Sequence, residues 1–293
     1  MSELFGWLSQ RDGRKVKKVA AIRPPRVEVQ QYIASVEPER PQLVSPPAEA
    51  VVPRSEIRST VQFDLKGADY RVKQVLDPLT LVGEQFRRLR ASISLMQKQR
   101  GIKIVLVTSA RPSEGKTFAA CALAGVLAQE PERRVLLIDA DLRKPRAGKQ
   151  LGMKSDSEPA RGFAEILRGE TDMMDCLASS LDGDLFFLPP GKVPTNPSEL
   201  LTSPVLEVTL KTARDAFDLV IIDSPPVLAL SDAVVMAPLC DAILLVVQAN
   251  VTPSKLVKEA ARRLGREKIC GIVINRVRHL KSSYYYHYYH DQG

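Results

Sequence analysis

The chain has 293 residues, of which 44% are hydrophobic, 26% are charged and 5% are aromatic. These values predict one globular domain of ordinary size with some additional chain, and they exclude a small disulfide-stabilised protein. The formal net charge is +8 at pH 7, so nucleic acid, an anionic membrane surface and phosphorylated substrates all have to be considered as acidic partners.

The positive charge is concentrated in two segments of the chain. Residues 11–26 carry seven basic side chains and one acidic side chain, and residues 255–281 carry nine basic and two acidic side chains. These segments contribute +6 and +7 to the total of +8, so the rest of the chain has a net charge of −5. The chain is therefore basic near its ends and mildly acidic between them, and we expect no nucleic-acid partner.

Residues 1–75 are predicted to form a disordered, Pro-rich and basic N-terminal arm. Prolines interrupt helix formation there, and apolar residues are sparse up to about residue 60. The exception is a set of apolar side chains at helical spacing beside Trp7, namely Met1, Leu4, Phe5 and Leu8. With the basic run that follows, residues 1–26 could make peripheral contact with an anionic membrane or dock on a partner. The same pattern also fits a frayed terminus, because two helical turns are marginal in water.

No apolar run reaches the 18 to 20 residues, roughly, that a membrane-spanning helix needs, and the start of the chain does not resemble a signal peptide. The four cysteines are widely separated and histidines are too few for a zinc site: Cys121, Cys176, Cys240 and Cys270. We therefore expect a cytoplasmic protein that does not cross a bilayer by itself.

The globular domain is predicted to span residues 76–281 and to begin with a helix. Its apolar stripe consists of Leu81, Phe86, Leu89, Ile93 and Met96. Short apolar runs then alternate with segments long enough for crossover helices, at 104–108, 135–138, 185–188, 219–222, 243–247 and 272–274. This alternation is typical of an α/β fold with a mostly parallel sheet and helices on both of its faces.

The first predicted strand is followed by a phosphate-loop pattern with Ala in place of the first Gly. Its predicted nucleotide-binding residues are Ala110, Arg111, Pro112, Ser113, Glu114, Gly115, Lys116 and Thr117. An Ala- and Leu-rich helix follows, so the loop amides and the helix N-terminus can face a polyphosphate. Lys116 would reach the β- and γ-phosphates of ATP, and the Thr117 hydroxyl would bind Mg²⁺.

Three aspartates follow two other predicted strands: Asp139 and Asp141 after residues 135–138, and Asp223 after residues 219–222. In a parallel sheet these strand ends lie at the same edge as the phosphate loop. A single aspartate at such a position can also be a turn or helix cap. We predict Thr117, Asp139 and Asp223 as metal ligands and Lys116, Asp139 and Asp141 as catalytic residues, with Asp139 or Asp141 as the base.

The last predicted segment, residues 282–293, is a tyrosine-rich tail. Five of the seven tyrosines of the chain lie in it: Tyr284, Tyr285, Tyr286, Tyr288 and Tyr289. Adjacent aromatic side chains at a terminus rarely pack in a core, so we expect a flexible tail whose tyrosines accept phosphate. The alternative is a docking tail that is not modified.

Together these motifs resemble the bacterial tyrosine kinases, a family with a MinD/ParA-like P-loop fold, over roughly residues 80–293. Ser109–Thr117 resembles the Walker A motif of that family, and Ile221–Pro226 matches its Walker B motif. Asp139, Asp141 and Arg143 match its second Walker motif, Asp-x-Asp-x-Arg. Its Glu-x-x-Arg-x-x-Arg oligomerisation motif matches Glu84, Arg87 and Arg90.

The resemblance implies a protein-tyrosine autokinase that uses ATP and Mg²⁺ and phosphorylates its own tyrosine tail in trans. It also implies a ring-like homo-oligomer at the inner face of the plasma membrane. The implied partner is a separate transmembrane chain-length regulator of capsular or exopolysaccharide polymerisation and export.

Two positions of the loop leave alternatives open. Ser113 stands where these kinases commonly have Gly, and a side chain would hinder a backbone that requires a positive φ. If Ser113 impairs nucleotide binding, the protein would be a weakly catalytic, nucleotide-gated scaffold. A MinD/ParA-type partitioning or positioning ATPase is the other alternative, but Arg111 stands where those proteins have a signature lysine.

Overall fold

The computed structural model describes residues 61–153, 161–181 and 184–277, and the eight strands in these ranges form one sheet. The strands are β1 (Val61–Phe63), β2 (Ile104–Ser109), β3 (Val135–Asp139), β4 (Ala178–Ser180), β5 (Leu185–Leu188), β6 (Leu219–Asp223), β7 (Ala242–Gln248) and β8 (Ile269–Asn275). All six predicted strands are confirmed, and the short strands β1 and β4 are additional.

The strand order across the sheet is β1-β4-β5-β3-β6-β2-β7-β8. Every neighbouring pair is parallel except β4 with β5, which is antiparallel. The carboxyl ends of β2, β3, β6, β7 and β8 therefore lie at one edge, which we call the carboxyl edge. Asp139 and Asp223 are direct partners in the β3–β6 register, so their side chains begin next to each other.

Helices cover both faces of the sheet. They are α1 (Tyr70–Leu76), α2 (Leu81–Arg100), α3 (Lys116–Ala128), α4 (Ala147–Gln150), α5 (Phe163–Leu167), α6 (Pro197–Leu201), α7 (Pro204–Ala216), α8 (Asp232–Met236) and α9 (Ser254–Leu264). Apolar residues of α1 to α4 pack on one face, and those of α5 to α9 pack on the other. The central strands are buried on both faces, which explains their continuous apolar runs.

Helix α2 contains the predicted apolar stripe. The Thr80 hydroxyl accepts a hydrogen bond from the Gly83 amide at 3.0 Å and caps the start of the helix. Phe86 and Ile93 are buried, and Gly101 ends the helix in the left-handed conformation, with a φ of 66°.

The predicted arm is too long, because residues 61–75 belong to the fold. Strand β1 pairs with β4, and Val72 and Val75 of α1 are fully buried in the core on the α3 side of the sheet. A three-residue strand and a seven-residue helix are too short to give a clear periodic pattern, so sequence reasoning missed them.

The other predicted terminal segments, residues 1–60 of the arm and the tail 282–293, lie outside the described residues. Among the helices of the described ranges, none has both the length and the apolar character needed to span a membrane.

Candidate functional site

The loop Ala110–Thr117 joins β2 to α3 at the carboxyl edge of the sheet. The Arg111 amide donates a hydrogen bond to the Glu114 carboxylate at 2.8 Å, which holds the loop as a closed turn. Gly115 has a φ of 96° and precedes the first residue of α3. Because Gly115 contributes no side-chain cap, the first amides of α3 remain available to an anion.

Lys116 connects this loop to two of the three predicted aspartates. Its Nζ atom lies 2.8 Å from Asp141 Oδ2, 3.3 Å from Thr117 Oγ1 and 3.8 Å from Asp223 Oδ1. Burial would lower the pKa of the ammonium group, but the charges of Asp223 and Asp141 outweigh burial and raise that pKa. Lys116 is therefore a cation held among carboxylates.

Asp139 is fully buried, and backbone amides hold both of its oxygens. Oδ1 accepts from the Asp141 amide at 3.1 Å, and Oδ2 accepts from the amides of Arg146 and Ala147 at 3.0 and 2.9 Å. Burial and the charge of Asp223 nevertheless raise the pKa of Asp139. In this arrangement Asp139 organises the segment that follows β3, including the position of Asp141.

Asp223, unlike Asp139, receives no hydrogen bonds from backbone amides of the described residues. Its side chain is fully buried, and neither oxygen accepts a hydrogen bond of normal geometry from the described residues. Burial raises the pKa of Asp223 to about 6, although the Lys116 ammonium and the Thr117 hydroxyl oppose this change. A buried carboxylate without a donor, close to a hydroxyl and a helix N-terminus, fits a site for a divalent cation with a polyphosphate.

In the described residues, no group of three or more His, Cys, Asp or Glu side chains is arranged to hold a metal ion by itself. Mg²⁺ in nucleotide sites usually takes few protein ligands, and phosphate oxygens and water complete its coordination. The combination of Asp223 with Thr117 is therefore consistent with Mg²⁺ that arrives together with a nucleotide.

Sequence reasoning missed two residues that support the loop from the β7–β8 side. Asn275 Nδ2 donates to the Glu114 carbonyl at 2.8 Å, and the Thr252 hydroxyl donates to the Glu114 carboxylate. A Cβ atom on Gly115 would lie 2.0 Å from Asn275 Nδ2, so this close approach requires glycine. Asn275 ends a predicted strand, as the aspartates do, whereas no sequence signal marks Thr252.

Arg143, the last residue of the predicted Asp-x-Asp-x-Arg motif, forms a network with the starts of α6 and α8. Its Nη2 atom donates to Ser198 Oγ at 2.7 Å, and its Nε atom lies 3.3 Å from Asp232 Oδ2. Ser198 also donates to Asp232 Oδ1 at 3.2 Å. The segment after Asp141 is thereby fixed to the opposite side of the cleft.

The predicted oligomerisation residues lie on α2, away from the loop, and have partners within the chain. Glu84 forms an ion pair with Arg87 at 3.0 Å. Arg90 does not share this pair, because it lies 3.3 Å from Glu130 and donates to the Val126 carbonyl at the end of α3. The motif therefore ties α2 to the phosphate-loop helix within one subunit.

A cavity of about 510 Å³ lies near the end of α3 and is lined by Leu65, Gly125 and Leu185, among others. Lys116 is at the other end of α3, so this cavity is not part of the candidate nucleotide site.

Ser113 adopts a φ of 66°, the left-handed conformation that a side chain at this position opposes. We predict that Ser113→Gly stabilises the protein by about 1 kcal/mol, because the side chain no longer opposes this backbone conformation. Urea unfolding of the two proteins measures the difference. Ser113→Ala is the matched control and should bring no gain, since it retains a Cβ atom; a gain equal to that of glycine would contradict the explanation.

The raised pKa of Asp223 predicts a pH-dependent cost of keeping this carboxylate buried. The unfolded chain loses the Asp223 proton near pH 4, whereas the folded chain retains it up to about pH 6, so the stability of the nucleotide-free protein falls across this interval. Asp223→Asn removes the ionisation and should therefore stabilise the protein more at pH 7.5 than at pH 4.5, by roughly 2 kcal/mol.

Urea unfolding at both pH values measures this difference. Asp215→Asn, which changes an exposed carboxylate on α7, is the control. Equal effects of Asp223→Asn at the two pH values would show that Asp223 is not strained by its burial.

Comparison with known proteins agrees with this geometry. A family model described as an AAA domain matches residues 102–259. Tyrosine-protein kinase YwqD of Bacillus subtilis is 35% identical over 214 residues, which cover 72% of this chain and 88% of YwqD. Tyrosine-protein kinase Wzc of Salmonella typhimurium is 32% identical over 228 residues, which cover 75% of this chain but 31% of Wzc. The chain thus corresponds to most of YwqD and to about a third of Wzc.

A solved structure has the same architecture. The kinase domain of the Escherichia coli tyrosine kinase Etk superposes with a TM-score of 0.63 at 32% sequence identity, over 76% of this chain and 85% of that domain. The similarity therefore includes the P-loop fold as well as the sequence. With YwqD matched over most of its length, the chain belongs to the bacterial tyrosine-protein kinases.

Proposed function

We propose that this tyrosine-protein kinase transfers the γ-phosphoryl group of ATP to the tyrosines of its own C-terminal tail, in trans between subunits. The observation that carries the proposal is the meeting of Lys116, Thr117 and Asp223 beside the start of α3, with the Asp223 carboxylate buried and without a donor. These groups match the charge of a polyphosphate with its metal ion.

Different residues bind the phosphates and the metal ion in this proposal. The amides of Ala110–Thr117 and the Lys116 ammonium bind the phosphates. Thr117 and Asp223 would hold Mg²⁺, and Asp139 would contribute indirectly, because both of its oxygens already accept backbone hydrogen bonds. When bound, Mg²⁺ supplies positive charge that neutralises the phosphate oxygens in the transition state.

Asp141 is the residue we propose as the base. Its Oδ1 atom accepts from the Lys144 amide at 3.0 Å, and its Oδ2 atom pairs with Lys116. When Lys116 turns to the phosphates, Oδ2 is released and can accept the proton of the tyrosine hydroxyl. The tyrosine oxygen then forms a bond to the γ-phosphorus, the bond from that phosphorus to the β–γ bridging oxygen breaks, and ADP leaves.

The acceptors in this proposal are Tyr284, Tyr285, Tyr286, Tyr288 and Tyr289, which lie outside the described residues. Trans phosphorylation requires subunits to meet, and we assign this contact to a ring-like homo-oligomer that includes Glu84, Arg87 and Arg90. The support is the position of α2, whose Arg90 side chain donates to the Val126 carbonyl of α3, the helix that begins at the phosphate loop. Each added phosphate brings about −1.5 to −2 charges, so repeated modification would separate neighbouring subunits by repulsion.

We further propose that the kinase regulates polymerisation or export of a capsular polysaccharide or exopolysaccharide at the inner face of the plasma membrane. A separate transmembrane chain-length regulator is the activating partner. Residues 1–26, which are basic and begin with an apolar stub, would assist contact with the membrane. This part of the proposal rests on the family resemblance.

The activity prediction uses purified full-length protein with labelled ATP and Mg²⁺. We expect phosphotyrosine on the chain, a loss of at least a hundredfold with Lys116→Met, and a similar loss when the five tail tyrosines are changed to phenylalanine. Electrostatic stabilisation of a transferring phosphoryl group contributes this order of magnitude to catalysis. Mass spectrometry of the tail locates the label.

A matched control is Lys211→Met, which removes an exposed lysine from α7 and should leave the rate unchanged. Label on serine, or no label at all, would contradict the tyrosine-kinase activity of this chain. ATP hydrolysis without protein phosphorylation would favour a partitioning-type ATPase.

Trans phosphorylation is tested by mixing two variants, neither of which can phosphorylate itself. The Lys116→Met chain keeps its acceptor tyrosines, and the tail-substituted chain keeps its phosphate loop. We expect label on the Lys116→Met chain in the mixture and on neither protein alone, because each supplies what the other lacks. A blank mixture from proteins that still associate would refute transfer between subunits.

A further inference from the structure

Helix α9 has one buried face and one strongly basic face. Val257, Ala260, Ala261 and Leu264 are buried against the sheet. The exposed side carries a set of cations, which we call the α9 basic face: Lys255, Lys258, Arg262, Arg263 and, just after the helix, Arg266. Lys255, Lys258 and Arg262 follow each other at intervals of three and four residues, so they form one stripe along the helix.

The charge of the α9 basic face is only partly compensated within the helix. Glu259 is the acidic residue between Lys255 and Arg266, and it pairs with Arg262 at 2.8 Å and with Arg263 at 3.0 Å. Five cations and one carboxylate leave a net charge of +4 over these twelve residues. Such a surface attracts a polyanion, and both arginine side chains remain largely exposed, at 66% and 45%.

The described structure ends at Val277, beside the start of α9. Strand β8 runs parallel to β7, and the Asn275 carbonyl accepts a hydrogen bond from the Ala249 amide at 2.9 Å. Arg276 Nη1 also donates to Gln248 Oε1 at 3.4 Å. The chain beyond Val277 therefore begins next to the turn that leads from β7 into α9.

The linker to the first tail tyrosine is long enough to follow the whole helix. Tyr284 is seven positions beyond Val277 along the chain, which gives a reach of about 23 Å at about 3.3 Å per residue. Helix α9 has eleven residues and is about 16 Å long at 1.5 Å per residue. Every cation of the α9 basic face is thus within reach of the tyrosines of the same chain.

We propose that the α9 basic face is the docking site for the tyrosine tail of the same chain after the tail has been phosphorylated; this inference rests on the proposed autophosphorylation. Before modification, Asp291 is the one acidic side chain among residues 282–293, so attraction to the face is weak. Each phosphotyrosine adds about −1.5 to −2 charges and three strong acceptor oxygens, which suit arginine and lysine donors.

Docking would remove a phosphorylated tail from the active site of a neighbouring subunit. The face begins close to Thr252, whose hydroxyl contacts Glu114 of the phosphate loop. An anionic lipid surface is the competing occupant of a basic helix face. The tail is favoured because its attachment beside α9 makes the interaction intramolecular, with a high effective concentration.

The test uses a synthetic peptide of residues 282–293 with phosphate on all five tyrosines, and full-length Lys116→Met protein, which carries no phosphate of its own. Fluorescence anisotropy measures peptide binding. We expect binding of the phosphorylated peptide that weakens with salt, and at least tenfold weaker binding of the unphosphorylated peptide. Adding Lys255→Glu with Arg262→Glu should reduce the affinity at least tenfold, and glutamine at both positions should give an intermediate loss.

The matched control is Lys66→Glu with Lys73→Glu, an equal charge change at exposed lysines near β1. It should change the affinity less than twofold. Equal losses from the two pairs, or equal binding of both peptides, would overturn the proposal. The proposal would also be overturned if Lys255→Glu with Arg262→Glu abolished binding to phosphatidylserine vesicles but left peptide binding unchanged. Because the peptide is phosphorylated by synthesis, these outcomes are independent of whether the kinase phosphorylates its own tail.

Discussion

Three buried carboxylates and one ammonium group lie at the carboxyl edge of the sheet, and the ammonium group contacts two of the three, Asp141 and Asp223. This excess of negative charge determines the organisation of the site. Asp139 is compensated by three backbone amides, and Asp141 by Lys116 and the Lys144 amide. Asp223 has a carboxylate with no donor of its own in the described structure. The folded chain therefore retains an unsatisfied negative charge in the place where a metal–nucleotide complex would supply the missing positive charge.

The rest of the fold holds this unfavourable arrangement in place. Parallel strands bring Asp139 and Asp223 into direct register, and helix α3 presents its N-terminus to the same edge. Glu114 connects the phosphate loop to Thr252 and Asn275 on the β7–β8 side. On the other side of the cleft, Arg143 joins the segment after β3 to Ser198 and Asp232. Rigid support from both sides keeps the charged groups close in spite of their repulsion.

The described structure also ends beside the phosphate loop. Asn275 both contacts the phosphate loop and ends the last described strand, from which the chain continues toward its tyrosines. Helix α9 begins shortly after Gln248 of β7, which accepts a hydrogen bond from Arg276 just beyond β8. Phosphate groups on the tail, as proposed above, would carry a charge opposite to that of the α9 basic face of the same chain.

The sequence by itself determined the parts of this protein that depend on local pattern. Continuous apolar runs identify strands buried on both faces, and the order of strand, loop and helix around Lys116 identifies a phosphate site with aspartates at the same edge. Strands β1 and β4 have three residues each and no such pattern, so only their pairing in the sheet reveals them. Tertiary structure also decided the different environments of the aspartates, the contact of Arg90 with Glu130 rather than Glu84, and the role of Thr252. Periodicity reports which side chains are buried, whereas the donors that compensate a buried charge come from segments distant in the chain, and only folding brings them together.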